Sequence, residues 1–374
     1  ALGAEKGHIH LNFCPNCAHI YNSNFDPTRV QYDSRYENSL LYSPVFRTYL
    51  VDLVERLIYR YHLYRKDIIE IGCGRGDFLR LLSEKGGNRC TGFEPGYDEL
   101  QVGPNARNSN IEVVQDYYSE KYSDYLADFI ACRQVLEHIA EPRDFMLSIR
   151  RSMLRKDNSV IFVEVPNVMF TLEKFGIWDL IYEHCGYYSA SSLGYLFSES
   201  GVESIDISES FGRQYICIEA KVSMRESKLN LPETIHSVER VESFVNGFAD
   251  LYRQTVCFWR DSLYKMKQQG IRVVVWGAGS KGITFLNVLP TYGLIDYVVD
   301  INPHKQGRYV PCTGQQVISP EALVDIRPQA VITMNPLYID EIKNIIAEYD
   351  FGEGGTPMIM PVDRLDYGKD DLAC

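Results

Sequence analysis

Residues 68–76 read Ile-Ile-Glu-Ile-Gly-Cys-Gly-Arg-Gly, an apolar run that leads directly into a glycine-rich turn. This pattern predicts a buried strand over 67–71 and a helix over 77–85. The next apolar run, 89–93, is followed by the acidic residue Glu94. In parallel α/β sheets, glycines at such a turn let the backbone approach a ligand, and an acid after the second strand accepts hydrogen bonds from ribose hydroxyls. The segment therefore indicates a nucleoside site.

Strand and helix patterns alternate from residue 67 to residue 164, and two apolar runs at 202–208 and 214–220 are expected to form a closing hairpin. This order is typical of a doubly wound sheet. A second strand and glycine turn begin at Val273, and a further strand there ends in Asp300. The predicted fold class is therefore α/β, with two tandem Rossmann-like parallel-sheet domains.

Composition limits the function classes. The 374 residues are 45% hydrophobic, which indicates a globular protein. The net charge of −12 argues against a nucleic-acid or anionic-membrane partner. No apolar run approaches the ~20 residues that span a bilayer. Most of the ten cysteines stand singly within apolar segments. Because that is the pattern of reduced thiols, we expect a cytoplasmic enzyme.

Several motifs carry a resemblance to a known family. The acid and the three glycines at residues 70–76 (ExGxGxG) resemble motif I of the class I S-adenosylmethionine methyltransferases, whereas a dinucleotide site requires GxGxxG. The segments VLEHI at 135–139, EHCGYYS at 183–189 and WGAGSKG at 276–282 are similar to those of the sugar C-methyltransferases. Residues 13–22 resemble the latter half of that family's zinc-binding module. The resemblance implies methylation of a ring carbon of a nucleotide-linked keto-deoxysugar.

The same resemblance implies four regions. Residues 1–43 would be a remnant of the zinc-binding module with a substrate-facing segment, and residues 44–225 the S-adenosylmethionine-binding domain. Residues 226–268 would form a helical connector. Residues 269–374 would form the C-terminal Rossmann-like domain.

The cofactor residues are expected around the first glycine turn. The glycines would let the backbone pass under the methionine and ribose, Glu94 would bind the ribose diol, and Asp116 the adenine amine. Glu70 would lie near the methionine amine, with Arg133 or Gln134 at the carboxyl edge of the sheet. The expected cofactor set is Glu70, Gly72, Gly74, Gly76, Glu94 and Asp116.

The chemistry requires a base, because carbon becomes nucleophilic only when a proton next to a carbonyl is removed. Histidine has the side-chain pKa nearest to neutrality. We therefore predict His184 as the base and Glu183 as its orienting partner. The alternative is that His184 is a loop histidine at a helix end and not a base. His138 matches a family position thought to touch substrate. Tyr36 either contacts substrate or cofactor, or packs.

The pair Cys14 and Cys17 forms half of a structural zinc site, because zinc requires four ligands. The family supplies a second CxxC upstream, and His8 and His10 are the alternative ligands. We expect zinc to be incomplete or absent in this chain.

The second glycine turn admits three interpretations. Lys281 would suit a pyrophosphate, the loop could be purely structural, or Asp300 could hold the ribose of NAD. Asn302, Lys305 and Arg308 are further predicted substrate contacts.

Other functions remain open at the level of sequence. The methyl group could go to oxygen or nitrogen of a related sugar or natural product. The second unit could instead be the active part of an NAD-dependent oxidoreductase. A nucleotide-sensing module would bind the cofactor without turnover.

Overall fold

A computed structural model describes residues 2–30, 32, 39–98, 109–222 and 237–363. The N-terminal part contains the short strands β1 (Leu11–Phe13) and β2 (Ile20–Asn22), which pair in antiparallel fashion. The first long helix, α1 (Pro44–Tyr61), begins with Pro44 directly after the N-cap Ser43. The hydroxyl of Ser43 accepts from the amide of Phe46. A proline at the first helical position is favoured because its missing N–H has no intrahelical partner there.

The first unit is built on a seven-stranded sheet. Its parallel part consists of β3 (Asp67–Ile71), β4 (Arg89–Phe93), β5 (Ile111–Val114), β6 (Phe129–Arg133) and β7 (Val160–Pro166), in the order β5-β4-β3-β6-β7. A short strand, β8 (Gly186–Tyr187), pairs with β2 instead of this sheet. The hairpin of β9 (Val202–Ser210) and β10 (Tyr215–Val222) closes the sheet antiparallel to β7. The helices beside it are α2 (Asp77–Gly86), α3 (Pro142–Met153), α4 (Val168–Lys174) and α5 (Ala190–Glu199).

The register of this sheet sets the position of the predicted site. Since β3 and β4 are parallel and Ile71 lies opposite Phe93, the glycine turn and Glu94 leave the sheet at the same edge. Gly76 is the N-cap of α2 and has φ 75°, a left-handed conformation that glycine adopts at little cost. The nucleoside pattern of the sequence is therefore assembled in space at the carboxyl edge.

A long helix, α6 (Val238–Gln268), precedes the second unit. Of the predicted helical connector 226–268, residues 226–236 lie outside the described residues. The second sheet contains β11 (Val273–Trp276), β12 (Ile295–Val299), β13 (Gln316–Ile318), β14 (Ala330–Thr333) and β15 (Met358–Pro361). It is parallel throughout, in the order β13-β12-β11-β14-β15. Its helices are α7 (Ser280–Val288), α8 (Leu323–Ile326) and α9 (Ile339–Ala347). The fold is thus the expected α/β class with two tandem Rossmann-like sheets.

The two units pack against each other through side chains of several kinds. Trp178, in a 3-10 turn after α4, is buried in the core of the second unit with its ring centroid 4.8 Å from that of Phe285. The side-chain amides of Gln214 and Asn335 exchange hydrogen bonds of 2.8 and 2.9 Å. Apolar burial and paired amides together fix the second unit on the first. Among the described residues, every helix is too short or too polar to cross a lipid bilayer.

Candidate active site

A cavity of about 470 Å³ opens at the carboxyl ends of the parallel strands of the first unit. Gly72, Gly74 and Glu94 line one side of it, and Asp116 lies in the wall beyond β5. The opposite side includes His138 and the N-terminal segment at Phe25, Pro27, Val30 and Tyr32. The cavity therefore joins the predicted cofactor residues to a histidine of the first unit.

The glycine turn fits the close approach of a ligand. Gly72 and Gly74 have φ values of 71° and 53°, and a Cβ at Gly72 would collide with the side chain of Val135. No heavy atom lies within 4 Å of the position that a Cβ would take at Gly74, within the part of the chain that is described. The two oxygens of Glu94 accept from the amides of Gly74 (3.0 Å) and Gly96 (3.1 Å). Each carboxylate oxygen has a second lone pair, so Glu94 can still accept from a ribose hydroxyl.

Glu70 lies beneath this turn, on β3. Its side chain is buried, and its Oε2 has no hydrogen-bond partner among the described residues. Burial raises the pKa of Glu70 to about 8. A buried carboxyl without a partner is costly, and a cationic amine placed next to it would satisfy this oxygen. Its burial and its unsatisfied oxygen therefore fit the predicted contact with the methionine amine.

The guanidinium of Arg133, at the end of β6, is paired within the protein. It donates to Glu164 over 2.8 Å, and Gln134 donates to the same carboxylate over 3.2 Å. Tyr49 of α1 donates to Glu164 as well. This buried network holds the carboxyl ends of β6 and β7 in place, and Arg133 and Gln134 themselves line the cavity.

Asp116 is tied to its own loop. Hydrogen bonds from Lys121 and Tyr122 hold it, and the pKa of Asp116 is lowered to about 2, chiefly by the Lys121 hydrogen bond. Its carboxylate also accepts from the amide of Tyr117 over 2.8 Å. The group therefore lines the cavity in ionised form.

His138 is the histidine in the cavity wall. Its Nδ1 lies 2.9 Å from the carbonyl oxygen of Glu183 and 2.6 Å from the hydroxyl of Tyr32. Because a carbonyl only accepts, the contact with Glu183 requires the proton on Nδ1 and leaves the lone pair on Nε2. In the other tautomer, Tyr32 donates to Nδ1. Glu183 thus orients His138 through its backbone, and Tyr32 is a site residue that the sequence did not indicate.

His184 lies behind His138. The two rings meet edge to face with centroids 4.9 Å apart, and His184 is not among the residues that line the cavity. Its Nδ1 is buried without a hydrogen-bond partner in the described ranges. Burial lowers the pKa of His138 to about 4 and that of His184 well below its ordinary value. Both imidazoles are therefore neutral near pH 7.

Glu137 completes a buried cluster with these two histidines. One potential ligand atom from each of the three side chains lies within 4.8 Å of the others, a set that could hold a metal ion. Burial raises the pKa of Glu137 to about 8, so its carboxyl is largely protonated at neutral pH. As it stands, the cluster is a protonated acid beside two neutral bases.

The predicted zinc ligands Cys14 and Cys17 lie in a tight turn in which the amide of Ala18 donates to the carbonyl of Cys14 over 2.9 Å. Both thiols are free and half-buried. Within the described ranges, neither His8 nor His10 joins them in a cluster of three or more ligand groups. His10 instead lies 3.1 Å from the hydroxyl of Ser23 through its Nδ1.

The predicted substrate contacts of the second unit lie away from the cavity. Lys281 forms an ion pair with Asp179 at 2.9 Å and donates to Gln214 over 3.2 Å. Lys305 pairs with Asp300 at 3.6 Å. Asn302 is buried in the turn after β12, and Arg308 lies at the exposed surface. Tyr36, predicted to contact substrate, lies outside the described residues.

Comparison with known proteins agrees with this two-part arrangement. Residues 45–207 match the family model described as a methyltransferase domain, and residues 219–362 match the C-methyltransferase C-terminal domain. The C-methyltransferase NovU of Streptomyces niveus is 24% identical over 312 residues, which cover 79% of this chain and 72% of that protein.

Two further likenesses cover the first unit or part of it. The ubiquinone biosynthesis O-methyltransferase of Erwinia tasmaniensis is 34% identical over 87 residues, 22% of this chain and 35% of that protein. A crystal structure of a SAM-dependent methyltransferase from Aquifex aeolicus is 18% identical with a TM-score of 0.37, and the match covers 52% of this chain and 98% of that one. The chain belongs to the S-adenosylmethionine-dependent methyltransferases in which a methyltransferase domain is followed by a C-methyltransferase C-terminal domain.

Proposed function

We propose that this enzyme methylates a carbon next to the carbonyl group of a nucleotide-linked keto-deoxysugar, through an enolate formed by a histidine base. The observation that carries the proposal is the pair of neutral imidazoles at the cavity, His138 in the wall and His184 behind it. The likeness to a C-methyltransferase over most of the chain supports carbon as the acceptor atom.

The cofactor supplies an electrophilic methyl group when it is bound. Gly72 and Gly74 would let the backbone approach it, Glu94 would accept from its ribose, and Asp116 would meet its adenine amine. Glu70 would lie against the amine of its methionine part. These assignments rest on the shape of the glycine turn and on the acids that surround it.

The histidine pair would take the proton of the acceptor. A neutral imidazole accepts a proton, whereas a charged one does not, and burial keeps both rings neutral. We assign the contact with the acceptor to His138 and the support of its charge to His184. Tyr32, 2.6 Å from His138, would donate its hydroxyl proton to the developing oxyanion.

Exchange of the acceptor's α-proton for deuterium, measured without cofactor by NMR on a panel of UDP- and dTDP-linked keto-deoxysugars, tests the proposal. The wild type should exchange this proton. His138→Asn and His184→Asn should lower both exchange and turnover by at least about a hundredfold while S-adenosylhomocysteine affinity stays within about twofold. His19→Asn is the matched control, since burial also lowers the pKa of His19 to about 4 and this ring is not among the residues that line the cavity. Full exchange in both cavity variants would refute a histidine base.

Methylation of oxygen is the second candidate. It is favoured by the local likeness to the ubiquinone biosynthesis O-methyltransferases, which reaches 34% identity over 87 residues. An O-methylating enzyme would turn over its acceptor without exchanging any carbon-bound proton. Product NMR separates the two, because a methyl group on carbon and one on oxygen differ strongly in chemical shift.

We also propose that Cys14 and Cys17 supply two ligands of a structural zinc site, and that Tyr36 belongs to the acceptor side. The tight turn at Cys14 and the free state of both thiols support the metal proposal. Because Cys14 and Cys17 supply only two of the four ligands, zinc should bind weakly, and a zinc titration should show weaker binding to Cys14→Ser than to the wild type. Equal zinc affinity in both proteins would refute the proposal.

A further inference from the structure

A second cleft, of about 300 Å³, lies where α1, the glycine turn and the second unit meet. Arg47 comes from α1, Arg75 from the glycine turn and Arg80 from the first turn of α2. His304 reaches the cleft from the loop after β12, with its ring 6.1 Å from that of Tyr42. Four elements of the chain therefore converge on this cleft.

The cleft is basic although the protein as a whole is acidic. Three guanidinium groups line it, and among the described residues that line it Asp77 carries the only carboxylate. Asp77 pairs with Arg80 at 2.8 Å, and the Nε of Arg80 is buried without a hydrogen-bond partner in the described part of the chain. In a chain with a net charge of −12, three arginines that converge on one cleft indicate an anionic ligand.

The cleft also adjoins the cofactor cavity, because Arg75 lines both. An acceptor whose sugar ring lies at His138 could therefore extend its charged portion past Arg75. Guanidinium groups bind phosphate through paired hydrogen bonds, and three of them suit a diphosphate better than a single carboxylate.

We infer that this cleft, formed by Arg47, Arg75, Arg80 and His304, binds the diphosphate of the acceptor. The inference rests on the proposed function, since it presumes a nucleotide-linked substrate. It moves the expected phosphate contact from Lys281 and Lys305, which are engaged with Asp179 and Asp300, to the junction of the two units. The second unit then contributes to substrate binding through His304.

The test is calorimetric binding of inorganic pyrophosphate to the full chain, with inorganic phosphate as a second probe. The wild type should bind pyrophosphate more tightly than phosphate. Arg47→Met and His304→Gln should each weaken pyrophosphate at least about tenfold. Arg253→Met, which removes an exposed arginine of α6, is the control for loss of charge and should change nothing.

S-adenosylhomocysteine affinity, measured on the same samples, separates this inference from the proposed function. A wild type that fails to bind the homocysteine compound but binds pyrophosphate would refute the cofactor assignment and leave the cleft standing. If Arg47→Met does not fold, Arg47→Lys replaces it in the test, because lysine keeps the charge and loses the paired donors. This variant should also bind pyrophosphate more weakly than the wild type. Unchanged pyrophosphate binding in the folded Arg47 and His304 variants, loss of binding in Lys305→Met alone, or no binding by the wild type would overturn the inference.

Discussion

The two glycine turns of this enzyme follow the same local design and differ in what surrounds them. In the first, Glu94 accepts from the amide of Gly74 in the turn and from that of Gly96 in its own loop, and it remains in the wall of the cavity. In the second, Asp300 accepts from the amides of Ala278 and Asn302, each over 2.8 Å, and also pairs with Lys305. The second acid is buried. A strand, a glycine turn and an acid thus specify a backbone shape, whereas the neighbouring side chains decide whether a ligand can reach it.

The glycines also have different structural roles in the two turns. A Cβ at Gly74 would point into open space, while one at Gly282 would collide with the carbonyl oxygen of Gly277. Gly282 therefore permits its helix to pack closely on the strand. Gly74 leaves room for a ligand at the first turn.

The sharpest way to break this comparison is to remove each acid in turn. Glu94→Ala should weaken S-adenosylhomocysteine about a thousandfold, because two charge-assisted hydrogen bonds to the ribose disappear. Asp300→Ala should leave that affinity within about twofold and instead lower the free energy of unfolding by about 2 kcal/mol. Calorimetry and urea titration measure the two quantities. Equal loss of affinity in both variants would mean that the two turns are functionally alike.

The pH dependence of the free energy of unfolding extends the comparison to a buried acid in each unit. Between pH 4.5 and 8 the folded state binds more protons at Glu137 than the unfolded state does, so the free energy of unfolding falls as pH rises. Glu137→Gln should remove about 5 kcal/mol of that decline over the full range. In the second unit, burial raises the pKa of Asp363 to about 6, so Asp363→Asn should flatten only the range from about pH 4 to 6, by about 3 kcal/mol. Urea titrations across pH test both, and a Glu137→Gln profile parallel to that of the wild type would contradict the first.

The smallest effect is expected at Lys281. Lys281→Met should lower the free energy of unfolding by about 1 kcal/mol, because Asp179 loses a partly exposed partner. Loss of the ammonium should also raise the pKa of Asp363, which Lys281 lowers. Pyrophosphate affinity should not change. A marked loss of that affinity in the folded variant would return the phosphate site to the second glycine turn.

The strands around the first turn could be read from the sequence because their signals are local. The expected strands 67–71 and 89–93 occur with the same bounds, and the helix predicted at 77–85 ends one residue later. Local hydrophobic periodicity with glycine and proline signals was sufficient here.

The features that the sequence did not reveal depend on contacts between residues that are far apart in the sequence. The small sheet of β1, β2 and β8 joins Ile20 to Tyr187, and neither segment carries the alternating pattern of a long strand. Tyr32 and His138 are 106 residues apart, and no spacing rule connects them. His184 was predicted from its loop, but its position behind His138 depends on tertiary packing. The same is true of the arginine cleft, which four separate elements build.

Trp178 places a constraint on how this enzyme can be divided or recombined. Its indole is 1% exposed and belongs to the core of the second unit, although the chain position lies within the first. A truncated protein that ended before α6 would present this ring to water and would be prone to aggregate. A chimaera that exchanged the second unit with that of a relative would need a partner surface equivalent to Trp259 and Phe285. The second unit therefore cannot be exchanged without residues 177–179.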